Sequence, residues 1–147
     1  MTNLQELIDK LEAHETYYDE LNARIRCALL SEPGAYLMKS PINGAWCVYK
    51  GERAGKPLLY EHSRAYSGIW KSEYLNSVEA AAALVGAVLP GWDWGVMSYG
   101  VDGAHGRVWK HGYHDDTVVM SDKGATPAIA LVIAILKAVQ QKESVVS

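Results

Sequence analysis

The feature that most constrains this chain is an apolar run from Ala128 to Ala138, in which Lys137 is the one charged residue. The run is too short to span a bilayer, so it has to be buried in a protein core. Thr126 and Pro127 precede it, and this pair is typical of a helix start. We therefore predict a buried helix whose alanines allow close packing on a sheet. Its large apolar stripe is Ile129, Val132, Ile133, Leu136 and Val139.

The segment before this helix predicts a second helix followed by three short strands. Ser77 is a suitable N-cap for an alanine-rich helix that Pro90 and Gly91 end. We predict the strands at residues 92–99, 107–110 and 117–121, with loops at 100–106 and 111–116 and a turn at 122–124. Short connections favour an antiparallel meander with the helices packed on it. Residues 77–141 thus form a predicted α-β-β-β-α unit.

The remainder of the chain is less regular. Residues 1–31 predict two N-terminal helices, and residues 35–74 form a variable region of strands and loops. Within it, strands are predicted at 45–50 and 58–62, with a loop at 51–57. The whole chain of 147 residues is interpreted as one α+β domain with an antiparallel meander of three or more strands. A domain of this size needs no disulfide, and Cys27 and Cys47 form no CxxC motif.

Charge and hydropathy narrow the classes of function. The net charge is −3, which argues against binding to nucleic acid through phosphate neutralisation. No segment resembles a signal peptide or a membrane span, so we expect no membrane association and a cytoplasmic location in the host cell. The chain has nine Tyr and five Trp but no Phe, a bias that suits surfaces that are both apolar and hydrated.

The predicted strands carry a candidate ligand site. Trp94, Trp109 and Tyr99 offer aromatic rings on which a planar ligand can stack. Arg107 and Lys110 lie nearby in sequence and can bind phosphate groups. The alternative interpretation is that the tryptophans fill the core, which we favour for Trp92, while both interpretations stay open for Trp94 and Trp109.

Histidines and aspartates in the two predicted loops, 100–106 and 111–116, suggest a weaker candidate, a metal or acid–base site. The group comprises His105, His111, His114, Asp115 and Asp116, of which His111, His114 and Asp115 are the metal candidates. Their spacing matches no metal motif, and a solvated hairpin turn explains it more simply. Phosphate-binding loops, nucleophile elbows and zinc-protease motifs are also missing from the sequence. We therefore expect a protein that is not an enzyme and needs no cofactor.

Three blocks of the sequence carry a resemblance to a known family. They are Leu7–Ala13 with Leu21–Ile25, Tyr74–Trp94, and Gly124–Leu131. Here the chain resembles a family of uncharacterised phage and prophage proteins described as carrying a phage α-β-α sandwich domain. The resemblance implies phage origin and a fold, and it supplies no catalytic residues.

These observations lead to a ranked set of functional hypotheses. The first is a counter-defence binding protein that sequesters a small nucleotide signal at Trp94, Trp109, Arg107 and Lys110. The second is an inhibitor or adaptor that binds a host protein through the Tyr- and Trp-rich region from Tyr36 to Trp70. The third is a nucleotide hydrolase that uses the histidines. Because a three-stranded sheet has exposed edges, a homo-oligomer is an additional alternative.

Overall fold

The computed structural model of the chain contains four helices and six strands in the residues that it describes. These residues are 4–14, 18–29, 35–39, 46–53, 56–62, 74–100, 103–110 and 118–146. The predicted α+β class is confirmed, and each of the two sheets is a three-stranded antiparallel meander. The contacts group the chain into two compact units, Tyr17–Glu73 and the combination of Met1–Thr16 with Tyr74–Ser147. The interpretation of the chain as one domain stays a prediction.

The unit Tyr17–Glu73 pairs one helix with one sheet. Its elements are α2 (Tyr18–Leu29), β1 (Ala35–Lys39), β2 (Trp46–Arg53) and β3 (Lys56–His62). Helix α2 contacts β1 and β2 and buries Leu21 and Ile25. Strand β1 was not predicted, because five residues near Pro and Gly give too little periodicity. The predicted loop at 51–57 is wrong at both ends, because Gly51–Arg53 belong to β2 and Lys56–Pro57 to β3.

The second unit holds the predicted α-β-β-β-α order and the first helix of the chain. Its elements are α1 (Leu4–Glu12), α3 (Val78–Val88), β4 (Trp92–Ser98), β5 (Ala104–Lys110), β6 (Val119–Gly124) and α4 (Pro127–Val146). Strand β5 is central in the order β4-β5-β6. Helix α4 packs on all three strands, with α1 and α3 beside it.

The helix ends of this unit follow the local sequence signals. The hydroxyl of Ser77 accepts a hydrogen bond from the amide of Ala80 at 3.3 Å, and that of Thr126 accepts from Ile129 at 3.3 Å. Both N-caps are thereby confirmed. The chain leaves α3 through Gly91, whose φ of +85° is a left-handed conformation that favours glycine.

The strand limits depart from the sequence predictions. Strand β5 begins at Ala104 rather than 107, and β6 extends through Gly124, so the predicted turn at 122–124 is wrong. Helix α4 continues to Val146, beyond the predicted limit of 141. Pairing explains the first two differences, because Ala104 is opposite Gly124 in the sheet and their pairing extends both strands.

Close packing between α4 and the sheet forms the core of this unit. Every residue of α4 from 128 to 136 is buried. A Cβ atom on Gly106 would lie 2.5 Å from the carbonyl carbon of Ala130. A Cβ atom on Gly124 would lie 2.5 Å from the Cα of Ala130. Glycine at these two positions therefore allows the helix to touch the strands. Among the described residues, no helix is long and apolar enough to cross a membrane.

Helix α1 covers a different side of α4. Leu4, Leu7, Ile8 and Leu11 are its buried residues, at the spacing of one helical face. Polar contacts lie at the margin of this packing: Lys137 Nζ is 3.1 Å from Glu12 Oε2, and Gln140 donates a hydrogen bond to Gln5 at 3.0 Å. The first helix of the chain thus belongs to the same core as the last.

Candidate functional site

The two faces of the β4-β5-β6 sheet differ in chemistry. Along β5, the buried residues Ala104, Gly106 and Val108 face α4, and the intervening residues point to the other side. Residues directly opposite each other in antiparallel strands share a face, so the register shows on which face each residue of β4 and β6 lies. We call the side away from α4 the outer face. It carries Asp93, Gly95, Met97, His105, Arg107, Trp109 and Met120.

An arginine and a tryptophan form the centre of the outer face. The guanidinium carbon of Arg107 lies 5.1 Å from the centroid of the Trp109 ring, a distance suited to a cation–π interaction. Gly95 is opposite Arg107, and a Cβ atom there would lie 3.6 Å from Arg107 Nε and 3.7 Å from the Trp109 ring. These are ordinary van der Waals distances, so the indole and the guanidinium both lie against the strand at Gly95. We call Arg107, Trp109 and Gly95 the Arg–Trp cluster.

Exposed methionines lie on both sides of this cluster. Met97 on β4 is 57% exposed and Met120 on β6 is 54% exposed, although both are large apolar residues. Met120 is directly opposite Arg107, and Met97 is opposite the half-buried His105. Flexible, polarisable methionine side chains adapt well to a bound surface. The outer face therefore combines a stacking ring, one arginine and adaptable apolar flanks.

The structure brings together two of the five residues predicted to bind a ligand. Arg107 and Trp109 meet in the Arg–Trp cluster. Trp94 is opposite the buried Val108 and Lys110 is opposite Trp92, so both belong to the side of the sheet that α4 covers. Trp94 is nevertheless 40% exposed.

Tyr99 is separated from the cluster along the strand direction. It follows the last residue of β4, whereas Trp109 is opposite Asp93 near the first. Six residues of extended chain span roughly 20 Å, so one small ligand does not reach both rings. The single aromatic platform predicted from the sequence is thus divided among three places. The ligand-binding role of each residue stays a prediction.

Other predicted sites lie outside the described residues. These are the metal candidates His111, His114 and Asp115, and with them Asp116. Within the described ranges, no group of three or more His, Cys, Asp or Glu residues is placed to hold a metal ion. The side chains of the region from Tyr36 to Trp70, predicted to bind a host protein, also lie outside the described part of the chain.

Sequence reasoning did not select Gly95, Met97 and Met120 for the site. Alternation within β4 places Gly95 and Met97 on the side opposite Trp94, and this much follows from the sequence. The pairing of β4 with β5 decides that the same side carries Trp109, and it depends on where the connecting turn ends. Comparisons of the chain with protein-family models, with curated proteins and with solved structures found no match.

Proposed function

We propose that this chain is a non-enzymatic binding protein whose Arg–Trp cluster captures a small nucleotide. The observation that carries the proposal is the 5.1 Å approach of the Arg107 guanidinium to the Trp109 ring on the outer face. A nucleobase can stack on the indole or on the guanidinium plane, and the same guanidinium can donate hydrogen bonds to a phosphate.

The charges of the outer face limit the ligand. Among the described strand residues of this face, Arg107 is the one arginine, and Asp93 adds a carboxylate opposite Trp109. A highly phosphorylated chain or a long nucleic acid needs many cations, so this surface suits a small nucleotide with few negative charges. The resemblance implies a phage origin. In a phage protein, sequestration of a host signalling nucleotide would act in counter-defence.

The first experiment is a thermal-shift screen of the purified chain against cyclic and linear nucleotides. A ligand at about 100 times its dissociation constant stabilises the folded state by roughly 2.7 kcal/mol, which raises the melting temperature measurably. Ligand recovered afterwards should be chemically unchanged. Conversion of the nucleotide would contradict a non-enzymatic role, and a screen without any shift would contradict nucleotide binding.

Matched variants then test the position of the site by titration calorimetry with the nucleotide found. Trp109→Leu should weaken binding about tenfold or more, since stacking of one base contributes on the order of 1–3 kcal/mol. Trp94→Leu is its control, because Trp94 is on the neighbouring strand and the opposite face. In the same way, Arg107→Ala should weaken binding and Lys110→Ala should not. Equal losses in test and control variants would place the ligand elsewhere.

A second candidate function, an inhibitor or adaptor of a host protein, is favoured by the exposure of Met97 and Met120. Met, Trp and Arg are enriched where proteins bind one another. A host protein bound by the wild-type chain should be lost from the Met120→Glu variant if it binds the outer face. Retention of that partner by the variant would exclude this surface.

A further inference from the structure

The two edges of the β4-β5-β6 sheet are protected unequally. Strand β6 pairs with β5 through a register shift and carries Asp122 and Lys123 as exposed charges. Strand β4 pairs with β5 without any shift over its whole length. Residues 94–100 hold no charged side chain and no proline. Bulges, charges and prolines are the devices that prevent edge strands from pairing with other chains, and β4 lacks them along this stretch.

The backbone hydrogen bonds show which groups β4 presents at its edge. The amide of Tyr99 donates to the carbonyl oxygen of Gly103 at 2.8 Å, in the same register as the β4–β5 ladder. Hydrogen-bonded residues alternate in an antiparallel ladder. The N–H and C=O groups of Trp94, Val96 and Ser98 therefore point away from β5. In the described part of the chain, β5 is the one strand paired with β4.

Side chains on both faces of β4 are also exposed. Trp94 is 40% exposed on the side of the helices, and Met97 is 57% exposed on the outer face. An edge strand with exposed apolar groups on both faces gains burial on both when another strand is added. The backbone and the side chains thus indicate the same surface.

We propose that β4 pairs with β4 of a second copy of this chain, antiparallel and about a two-fold axis at Val96. This register lets Trp94, Val96 and Ser98 all form hydrogen bonds across the interface. The pairs that exchange them are Val96 with the partner's Val96, and Trp94 with the partner's Ser98.

Side-chain size supports a second copy rather than a foreign strand. In this register the large Trp94 is opposite the small Ser98 of the partner on one face. On the other face the large Met97 is opposite the partner's Gly95. Asp93 is opposite the partner's Tyr99, so no like charges meet directly across the two strands. A two-fold interface has to be self-complementary, and the sequence around Val96 satisfies that condition.

The assembly changes the outer face. A two-fold axis perpendicular to the sheet keeps the helices of both copies on one side and joins the outer faces into one six-stranded surface. The partner's Met97 then lies beside Gly95, next to the guanidinium and indole of the Arg–Trp cluster. The pairing itself does not depend on what that cluster binds.

The test is the molecular mass of the full chain in solution, measured by sedimentation without ligand. We expect a dimer of about 32 kDa, twice the chain mass of 16.2 kDa. Met97→Lys should raise the dissociation constant at least tenfold, because the two lysines would lie diagonally across the axis. Met120→Lys is the matched control, since Met120 is as exposed, on the same face, but on the other edge. A wild-type monomer, or equal behaviour of both variants, would overturn the proposal.

Cross-linking tests the register and does not require the dimer to be weakened. Val96→Cys puts a thiol directly opposite its copy, with Cα atoms about 5.5 Å apart, within reach of a disulfide. Ser98→Cys, on the same face of the same strand, puts the two thiols roughly 13 Å apart. Under mild oxidation the first variant should form a covalent dimer beyond the wild-type background of Cys27 and Cys47, and the second should not. The reverse pattern, or cross-linking of both, would refute pairing about Val96.

Discussion

The two faces of strand β5 differ in burial within seven residues. Ala104, Gly106 and Val108 are buried against α4, where a single methyl group would collide with helix backbone. His105, Arg107 and Trp109 lie on the outer face, where Arg107 is exposed and the other two are half-buried. One strand thus carries core packing on one side and the proposed recognition surface on the other. Because a slip of one residue would exchange the two sets, the tight packing of α4 also fixes which residues lie on the outer face.

The largest change in stability is expected from a substitution that removes volume from the buried side of the sheet. Leu131→Ala in α4 should cost about 3 kcal/mol of unfolding free energy, because the side chain is fully buried and leaves a cavity. Met120→Ala on the outer face should change it by less than about 0.5 kcal/mol. Hydrogen exchange of the α4 amides measures both variants. Comparable losses in the two would mean that the outer face is as tightly packed as the core.

The next test adds one methyl group to each face. Gly106→Ala should destabilise the fold by about 2 kcal/mol, since its Cβ would lie 2.5 Å from the backbone of Ala130 and Leu131. Gly95→Ala should stay within about 1 kcal/mol of the wild type, because its Cβ would lie no closer than 3.6 Å to a neighbour. Urea denaturation of both variants provides the measurement. A tolerated alanine at 106 would show that α4 can move away from the sheet.

A smaller effect is expected at the start of the helix that covers the buried face. Thr126→Ala removes the side-chain acceptor for the Ile129 amide and should cost about 1 kcal/mol. Thr126→Ser keeps the hydroxyl and should restore most of the loss. Melting temperatures of the two variants check the expectation, and an unaffected Thr126→Ala protein would mean that packing alone defines this end of α4.

The smallest stability effect should accompany the residue most important for the proposed function. Arg107→Ala removes a cation–π contact at an exposed position, for which about 0.5 kcal/mol is expected. Arg107→Lys should recover part of it. If thermal denaturation instead shows a loss as large as that of Leu131→Ala, Arg107 serves the core and its assignment to recognition is wrong.

Local signals explain which parts of the fold could be predicted. Ser77, Thr126, Pro127 and Gly91 act through their own conformations and nearest amides, so the helix starts and the end of α3 follow from the sequence. The alternation of β4 is equally local. It correctly separates Trp94 from Met97.

Long-range pairing explains what could not be predicted. Residues 122–124 have the composition of a turn, yet they lie in β6 because Gly124 is opposite Ala104 and against Ala130. The same long-range pairing decides which of the candidate site residues lie together. Trp94 and Trp109 are both strand residues, and only the register assigns them to different faces. In that register β5 begins at Ala104, three residues before the start that the sequence predicts.

The placement of α1 has a consequence for how the protein is made. Helix α1 leaves the ribosome well before α4, since all of Tyr17–Glu73 lies between them in the sequence. The buried residues Leu4, Leu7, Ile8 and Leu11 of α1 nevertheless belong to the same core as α4. During that interval the apolar stripe of α1 is without the α4 surface on which it packs. Nascent chains in this state attract chaperones. The order of synthesis therefore leaves the apolar face of α1 without its native cover until α4 has been made.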